Sequence, residues 1–240
     1  MASYDILGKY YDQIMGDQLE SAGCVRKLLL EHYPQARTVL DLGCGTGAIL
    51  SHLVQYYDVT GVDLSTTLLA MARKKLPRIP FYQADMKSFD LGCSFDAVIC
   101  LRDSVNHLRR ITDWQRAFAR VHRHLNPGGL FVFDIHTESK LRRLALSEPR
   151  VHQFEDHLMV IDVSSTANGL TAWHLKVFEQ IRAGVYHSSE ETIHEKSFRL
   201  GWIRSALREA GFKAIRTFDL ERGKVSAGSE RIHVVCRRSG

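Results

Sequence analysis

Three aspartates stand where apolar runs give out in the first ninety residues of this 240-residue chain. Asp41 follows Thr38-Val39-Leu40, Asp63 follows Val59-Thr60-Gly61-Val62, and Asp85 follows Phe81-Tyr82-Gln83-Ala84. A carboxylate at the end of a buried strand is placed to accept hydrogen bonds from a ligand lying across the edge of a sheet. Asp41 runs directly into Leu42-Gly43-Cys44-Gly45-Thr46-Gly47. Glycines at alternate positions let the main chain turn sharply and approach a ligand with no Cβ in the way. Ala48, Ile49, Leu50 and Leu53 then take up a helical spacing, so the amides at its start are expected to face the turn. Strand, glycine turn and helix together make a nucleotide-binding βα unit.

The charge of Asp41 bears on which nucleotide. Gly43-Cys44-Gly45-Thr46-Gly47-Ala48 satisfies the dinucleotide pattern G-x-G-x-x-G/A literally, and no Gly-Lys-Ser/Thr follows to make a P-loop. A carboxylate at the mouth of the loop repels a pyrophosphate and suits a cationic ligand carrying an ammonium and a sulfonium. Asp63, twenty residues beyond Gly43, can accept both ribose hydroxyls. Asp85 can accept from an adenine amino group while Met86 packs on the ring.

A second group of polar residues, Arg102-Asp103-Ser104-Val105-Asn106-His107, follows the apolar run Phe95–Leu101, where open α/β sheets place their chemistry. A histidine with an unperturbed pKa of roughly 6.5 can take a proton from an amine or hydroxyl nucleophile. His107 is the first candidate for that role, with Asp103 as its orienter and with Asn106 and Tyr11 positioning a substrate. His136 and His194 rank behind it.

The elements that must position these residues alternate in kind. Strands are expected at 38–42, 58–63, 81–84, 95–101 and 130–135, with helices from Gln18 to His32, from an N-cap at Ser65, and through the stripe Trp114, Phe118, Val121, Leu125. That alternation makes a parallel sheet. From about Phe154 the pattern becomes period two around Asn168-Gly169, a hairpin signal, and the excursion reads as a substrate-side or dimer-side β-layer. A helix closed by Gly211 and two strands near 214–220 and 232–236 end the chain.

Composition bounds the rest. Hydrophobic content of 45% and charged content of 25% fit one globular domain spanning 1–240, with its core in 4–137 and 198–238 and the β insert at about 150–197. Five scattered cysteines form no C-x-x-C pair, so reduced thiols and no metal are expected. No apolar run is long enough for a bilayer, and Met1-Ala2-Ser3-Tyr4-Asp5 lacks a signal-peptide plan; the expected compartment is the cytoplasm, with no membrane partner. A formal charge of +5 permits a nucleic-acid partner without requiring one.

Taken in order, these strings resemble the class I S-adenosylmethionine-dependent methyltransferases. Val39–Gly47 is similar to their first motif, and Gly61-Val62-Asp63-Leu64-Ser65, Ala84-Asp85-Met86, Phe95-Asp96-Ala97-Val98, Leu125-Asn126-Pro127-Gly128-Gly129 and Ala210-Gly211-Phe212 resemble later landmarks. The resemblance implies an α/β, doubly wound, mostly parallel seven-stranded sheet with the last strand antiparallel, here with an inserted antiparallel β-hairpin layer. It implies that S-adenosyl-L-methionine binds, leaving S-adenosyl-L-homocysteine as product. Asp41, Gly43, Cys44 and Gly45 would line its methionyl end, Asp63 its ribose, and Leu64, Asp85 and Met86 its adenine. Leu101 and Arg102 would flank the methionine, with Tyr11 covering it from an N-terminal helix.

The acceptor implied is an N or O nucleophile of a small molecule or peptide, bound by a monomer or homodimer. An NAD-dependent oxidoreductase is favoured only by the literal glycine pattern. A nucleic-acid methyltransferase acting on tRNA draws on the basic balance, but Cys100-Leu101-Arg102-Asp103 bears no likeness to the Asn/Asp-Pro-Pro-aromatic string of amino-methylating DNA enzymes.

Overall fold

Val39 and Leu40 are neighbours in β1 (Thr38–Leu42), both fully buried, yet they belong to different cores. Side chains of a strand point alternately to its two faces, so a strand buried on both must sit inside a sheet covered on both. In the computed structural model, which describes residues 4–154 and 157–239, that sheet has seven strands. Met1-Ala2-Ser3, read above for a leader plan, lie outside the described residues.

The strands are β1, β2 (Asp58–Asp63), β3 (Phe81–Gln83), β4 (Phe95–Cys100), β5 (Leu125–His136), β10 (Phe212–Phe218) and β11 (Arg231–Arg238), arranged β10-β11-β5-β4-β1-β2-β3. Pairing is parallel from β3 to β5, and β11 runs antiparallel to both β5 and β10. The order reverses beside β1, and such a switch point opens a crevice at the carboxyl ends of the strands.

Helices α2 (Leu19–His32), α3 (Leu50–Leu53) and α4 (Thr66–Lys75) cover one face, packing Val25, Leu29, Leu50 and Leu69 on Val39, Ile99 and Val132. Helices α5 (Ile111–Arg123) and α7 (Leu200–Glu209) cover the other, packing Trp114, Phe118, Ile203 and Leu207 on Leu40, Val98, Phe131 and Phe133. The expected caps are present: Ser65 Oγ accepts from the Leu68 amide, and Gly211 takes φ +97° after α7.

A second sheet of four antiparallel strands, β6 (Arg150–Phe154), β7 (His157–Ser165), β8 (Leu170–Arg182) and β9 (Val185–Lys196), forms the insert. Its inner face buries Met159, Ile161, Leu175 and Ile193 against Tyr10 of α1 (Leu7–Met15) and Leu144 of α6 (Glu138–Ala145). Neither β6 nor α6 is expected from the pattern: Arg-Val-His-Gln-Phe has no clear alternation, and the α6 stripe has only Leu141 and Leu144 buried.

The helix expected after the glycine loop shrinks to the single turn α3. The amides of Gly43 and Cys44 turn back to the Val62 carbonyl, at 2.7 and 3.0 Å, so the loop is pinned to β2 rather than opened as a row of free donors.

Candidate active site

Gly43 has φ +81°, and a Cβ there would stand 2.8 Å from Cβ of Ser104, so only glycine permits this approach of the loop to the turn after β4. Two residues later the Gly45 amide donates to Oδ2 of Asp63 at 2.8 Å. Oδ1 of Asp63 accepts from the Ser65 amide, also at 2.8 Å, so one carboxylate ties the glycine loop to the start of α4. Burial raises the pKa of Asp63, opposed by those main-chain donors.

Beneath the loop Asp41 is 2% exposed, and its Oδ2 has no hydrogen-bond partner. Burial, and then the charge of Asp63, push this carboxyl up to about 8. An unpartnered buried carboxylate oxygen is costly, and a cationic ligand in the loop offsets that cost.

A cavity of about 130 Å³ lies over the loop. Gly43, Gly45, Asp63, Leu64, Asp85, Met86, Arg102 and Tyr11, all named from the sequence, line it, together with Ala84, Ser104 and His107. Asp85 is held by the Lys87 amide, 2.9 Å from Oδ1, and by the Lys87 ammonium, 3.2 Å from Oδ2. The residues fit a ligand with a cation at one end, a diol near Asp63 and a flat ring near Ala84 and Met86.

Three residues expected at the cofactor do not line this cavity: Asp41 lies buried beneath the loop, and Cys44 and Leu101 belong to the core. Cys44, whose amide is spent on Val62, turns its side chain into the space left by the missing Cβ of Gly61 and joins the core with Val39 and Phe81. Leu101 packs in the same core and borders a different cavity, of about 390 Å³, beside α2 and β11.

Between the insert and the main sheet lies a further cavity of about 350 Å³. Ile161, Trp173, Leu175 and Ile193 give it an apolar wall, and Asp103, His136, Glu195 and Arg231 a polar floor. Tyr4, Tyr11 and Arg102 line both this cavity and the one over the glycine loop, so the two meet there. Arg102 and Asp103 are consecutive left-handed residues, φ 59° and 55°. Such backbone is strained in non-glycine residues and persists only when its surroundings hold it.

Here the Asp103 amide donates to Oδ1 of Asp134 at 2.7 Å, and Nη2 of Arg231 donates to Oδ1 of Asp103 at 2.6 Å. Arg231 also pairs with Asp134 and reaches Nε2 of His136 at 2.8 Å, while Nδ1 of His136 is 3.1 Å from Oε2 of Glu195. Burial opposes the charge of His136, but Asp103 and Glu195 outweigh it and raise its pKa. Burial and the nearby charge of Asp103 raise that of Glu195. Burial also works against the charge of Asp103, yet His136 and Arg231 hold it well below the usual carboxylate range. Asp103, His136 and Glu195 are metal-ligand types within 4.8 Å of one another, but the Arg231 guanidinium already supplies their cation.

His107 is therefore not oriented by Asp103. Its Nδ1 donates to the His194 carbonyl at 3.1 Å and its Nε2 is 2.8 Å from the Tyr4 hydroxyl. Asn106, expected near a substrate, is fully buried and bonds the main chain of His136 and Lys196, holding β5 to β9. The His194 side chain has its pKa lowered by partial burial and by Arg109, while its carbonyl serves His107.

Tyr4, Glu195 and Arg231 were not anticipated. Glu191, Ile193 and Glu195 alternate along β9 and are all buried, so two acids on the inner face of a strand were a readable signal. Tyr4 and Arg231 carried none, since each acts through residues about a hundred positions away.

Residues 39–129 match the methyltransferase-domain family. The chain is 31% identical over 212 residues to the putative methyltransferase YqeM of Bacillus subtilis, a match covering 86% of each chain. Over 119 residues, 49% of this chain and 48% of the other, it is 35% identical to the dTDP-4-amino-2,3,4,6-tetradeoxy-D-glucose N,N-dimethyltransferase of Saccharopolyspora spinosa. A solved S-adenosylmethionine-dependent methyltransferase from Clostridium acetobutylicum superposes with a TM-score of 0.87 at 22% identity, covering 99% of each chain, which shows the shared fold. Among the described residues no helix is long and apolar enough to cross a membrane.

Proposed function

The chain belongs to the class I S-adenosylmethionine-dependent methyltransferases, and we propose that it methylates an amine of a small polar molecule held between its insert and its main sheet. One observation carries this reading: the cavity of about 350 Å³ under the insert meets the one over the glycine loop at Tyr4, Tyr11 and Arg102. A volume of that size lies within the range of small-molecule pockets, which are typically about 300–1,000 Å³.

S-adenosyl-L-methionine, when bound, supplies an activated methyl group on a sulfonium. Asp41 and the loop at Gly43 and Gly45 would hold its methionyl end, Asp63 its ribose hydroxyls, and Leu64, Asp85 and Met86 its adenine. Nη2 of Arg102 donates to the Met15 thioether, 3.6 Å away, and its Nε is buried without a hydrogen-bond partner; this guanidinium would take the methionine carboxylate. The chain's own task is alignment in a dry site: α1 covers the junction, the apolar wall excludes water, and the fixed cluster around Arg231 shapes the floor.

The Glu195 carboxyl and the Trp173 face in this cavity suit an amine, and the Saccharopolyspora relative named for an amino sugar supports the same class. Release of S-adenosyl-L-homocysteine on adding dTDP-4-amino-2,3,4,6-tetradeoxy-D-glucose, set against the same sugar with a hydroxyl in place of the amine, tests it. Turnover confined to the amine supports the reading. Turnover of the hydroxyl compound alone, or of neither, overturns it.

A further inference from the structure

Tyr4 stands where the two cavities meet, and its hydroxyl is spent on a ring nitrogen. The direction of that bond follows from its other end. Nδ1 of His107 lies 3.1 Å from the His194 carbonyl oxygen, which can only accept, so Nδ1 carries the ring proton and Nε2 presents a lone pair. The Tyr4 O–H therefore donates to Nε2 across 2.8 Å.

The arrangement is held from several sides. The Tyr4 ring meets His107 edge-on at 5.5 Å and Tyr11 at 6.1 Å. Tyr4 itself has φ 50°, a left-handed conformation kept by the Gly8 amide donating to its carbonyl at 3.1 Å. His107 lines the cavity over the glycine loop but not the one under the insert; Tyr4 lines both. An acceptor lying under the insert thus meets the phenol of Tyr4 before it can meet the imidazole.

We propose that Tyr4 is the catalytic residue that takes the acceptor's proton and relays it to Nε2 of His107, an inference that rests on the methyl-transfer reading above. As the acceptor nitrogen bonds to the methyl carbon, the carbon–sulfur bond breaks and its electron pair stays on sulfur, leaving the nitrogen positively charged with one hydrogen to lose. That hydrogen passes as a proton to the Tyr4 oxygen while the proton already on that oxygen moves to Nε2. The methylated amine leaves neutral, Tyr4 is again a phenol, and His107 is an imidazolium that returns its proton to solvent after release. Burial, with the charges of Tyr11, Glu195 and Asp103, raises the pKa of Tyr4, so the phenol keeps a proton at rest and works as a relay rather than as a free base.

Two measurements on the full chain test this. With the amino sugar named above as probe, Tyr4→Phe, which keeps the ring contacts, and His107→Gln should each lower kcat by about 100-fold, and the double variant should be no slower than the slower single variant. Near-normal turnover by Tyr4→Phe, or losses that multiply in the double variant, would overturn the relay. The second measurement needs no acceptor: ¹⁵N spectra of the labelled histidine rings should show His107 protonated on Nδ1, with its Nε2 signal displaced by Tyr4→Phe. Protonation on Nε2 in the wild-type chain sinks the relay even if methyl transfer is established. If the probe is not methylated by the wild-type chain, the acceptor reading has failed, and the ring spectra alone decide whether the pair is poised as inferred.

Discussion

Nη2 of Arg231 lies 2.6 Å from Oδ1 of Asp103, so the first residue of the last strand fixes the left-handed turn that ends β4. The guanidinium also serves Asp134 and His136, so three side chains from two segments share one cation.

Removing that cation leaves Asp103 and Asp134 buried without the guanidinium they share. Arg231→Met is expected to destabilise the fold by about 3 kcal/mol, at the lower end of what breaking a buried pair costs because the arginine is 30% exposed. Urea denaturation measures it. A loss under about 0.5 kcal/mol, the scale of a surface pair, would show that the cluster is solvated.

Asp41 gives a pH signature with a definite sign. Its carboxyl is raised from the ordinary value near 4 to about 8, so the native chain binds the proton more tightly than the unfolded chain does. The stability this group contributes is full in acid and is lost as pH rises from about 4 through about 8. Asp41→Asn, uncharged at every pH, should therefore gain in Tm relative to wild type over that window and hold a constant gap above it. Thermal unfolding of the ligand-free proteins checks this; parallel pH curves would refute the buried, unpartnered carboxyl.

Binding of the cofactor should reverse the same shift, because a cation beside Asp41 favours the carboxylate. Calorimetry in buffers of different ionisation heat is expected to show proton release on binding below pH about 8 for wild type, and none from this group for Asp41→Asn.

Asp63 accepts from the amides of Gly45 and Ser65 as well as facing the cavity. Asp63→Ala is expected to weaken cofactor affinity by about 2–3 kcal/mol, through lost charge-assisted bonds and a loosened loop, with a smaller fall in Tm. Titration calorimetry would expose an incorrect ribose assignment as unchanged affinity.

Glu191 of β9 accepts from the amides of Asp5 and Leu7 at 2.9 Å each, capping α1 from another sheet. Glu191→Ala should cost about 1 kcal/mol at that helix end and open it to proteolysis ahead of the rest of the chain. Limited digestion with mass spectrometry reads the first cleavage; a first cut elsewhere argues that the other ties of α1, through Tyr10 to Glu179 and Asp12 to Lys75, suffice.

The lining of the cavity over the glycine loop was legible because its residues are near in sequence and each type has one local use: a glycine where φ is positive, an aspartate at a strand end. Cys44 and Leu101 pack in the core instead of lining that cavity, because a motif names positions in the chain whereas the direction of a side chain is set by the packing around it. The acceptor half was scarcely legible. Asp103 looked like a partner for His107 four positions on, but the turn between them carries the carboxylate to Arg231, 128 positions away. The insert itself could be read from Asn168-Gly169 and its alternation, though its edge strand β6 has too little pattern to show.

The cap on α1 also orders events during synthesis. Its acceptor lies 186 residues after Asp5, so that cap cannot close on a ribosome-bound chain until Glu191 has emerged, even when β1, the glycine loop and β2 are already free to pair. The contact that fastens the start of α1 is thus among the last to become available, after every residue of the glycine loop it lies over.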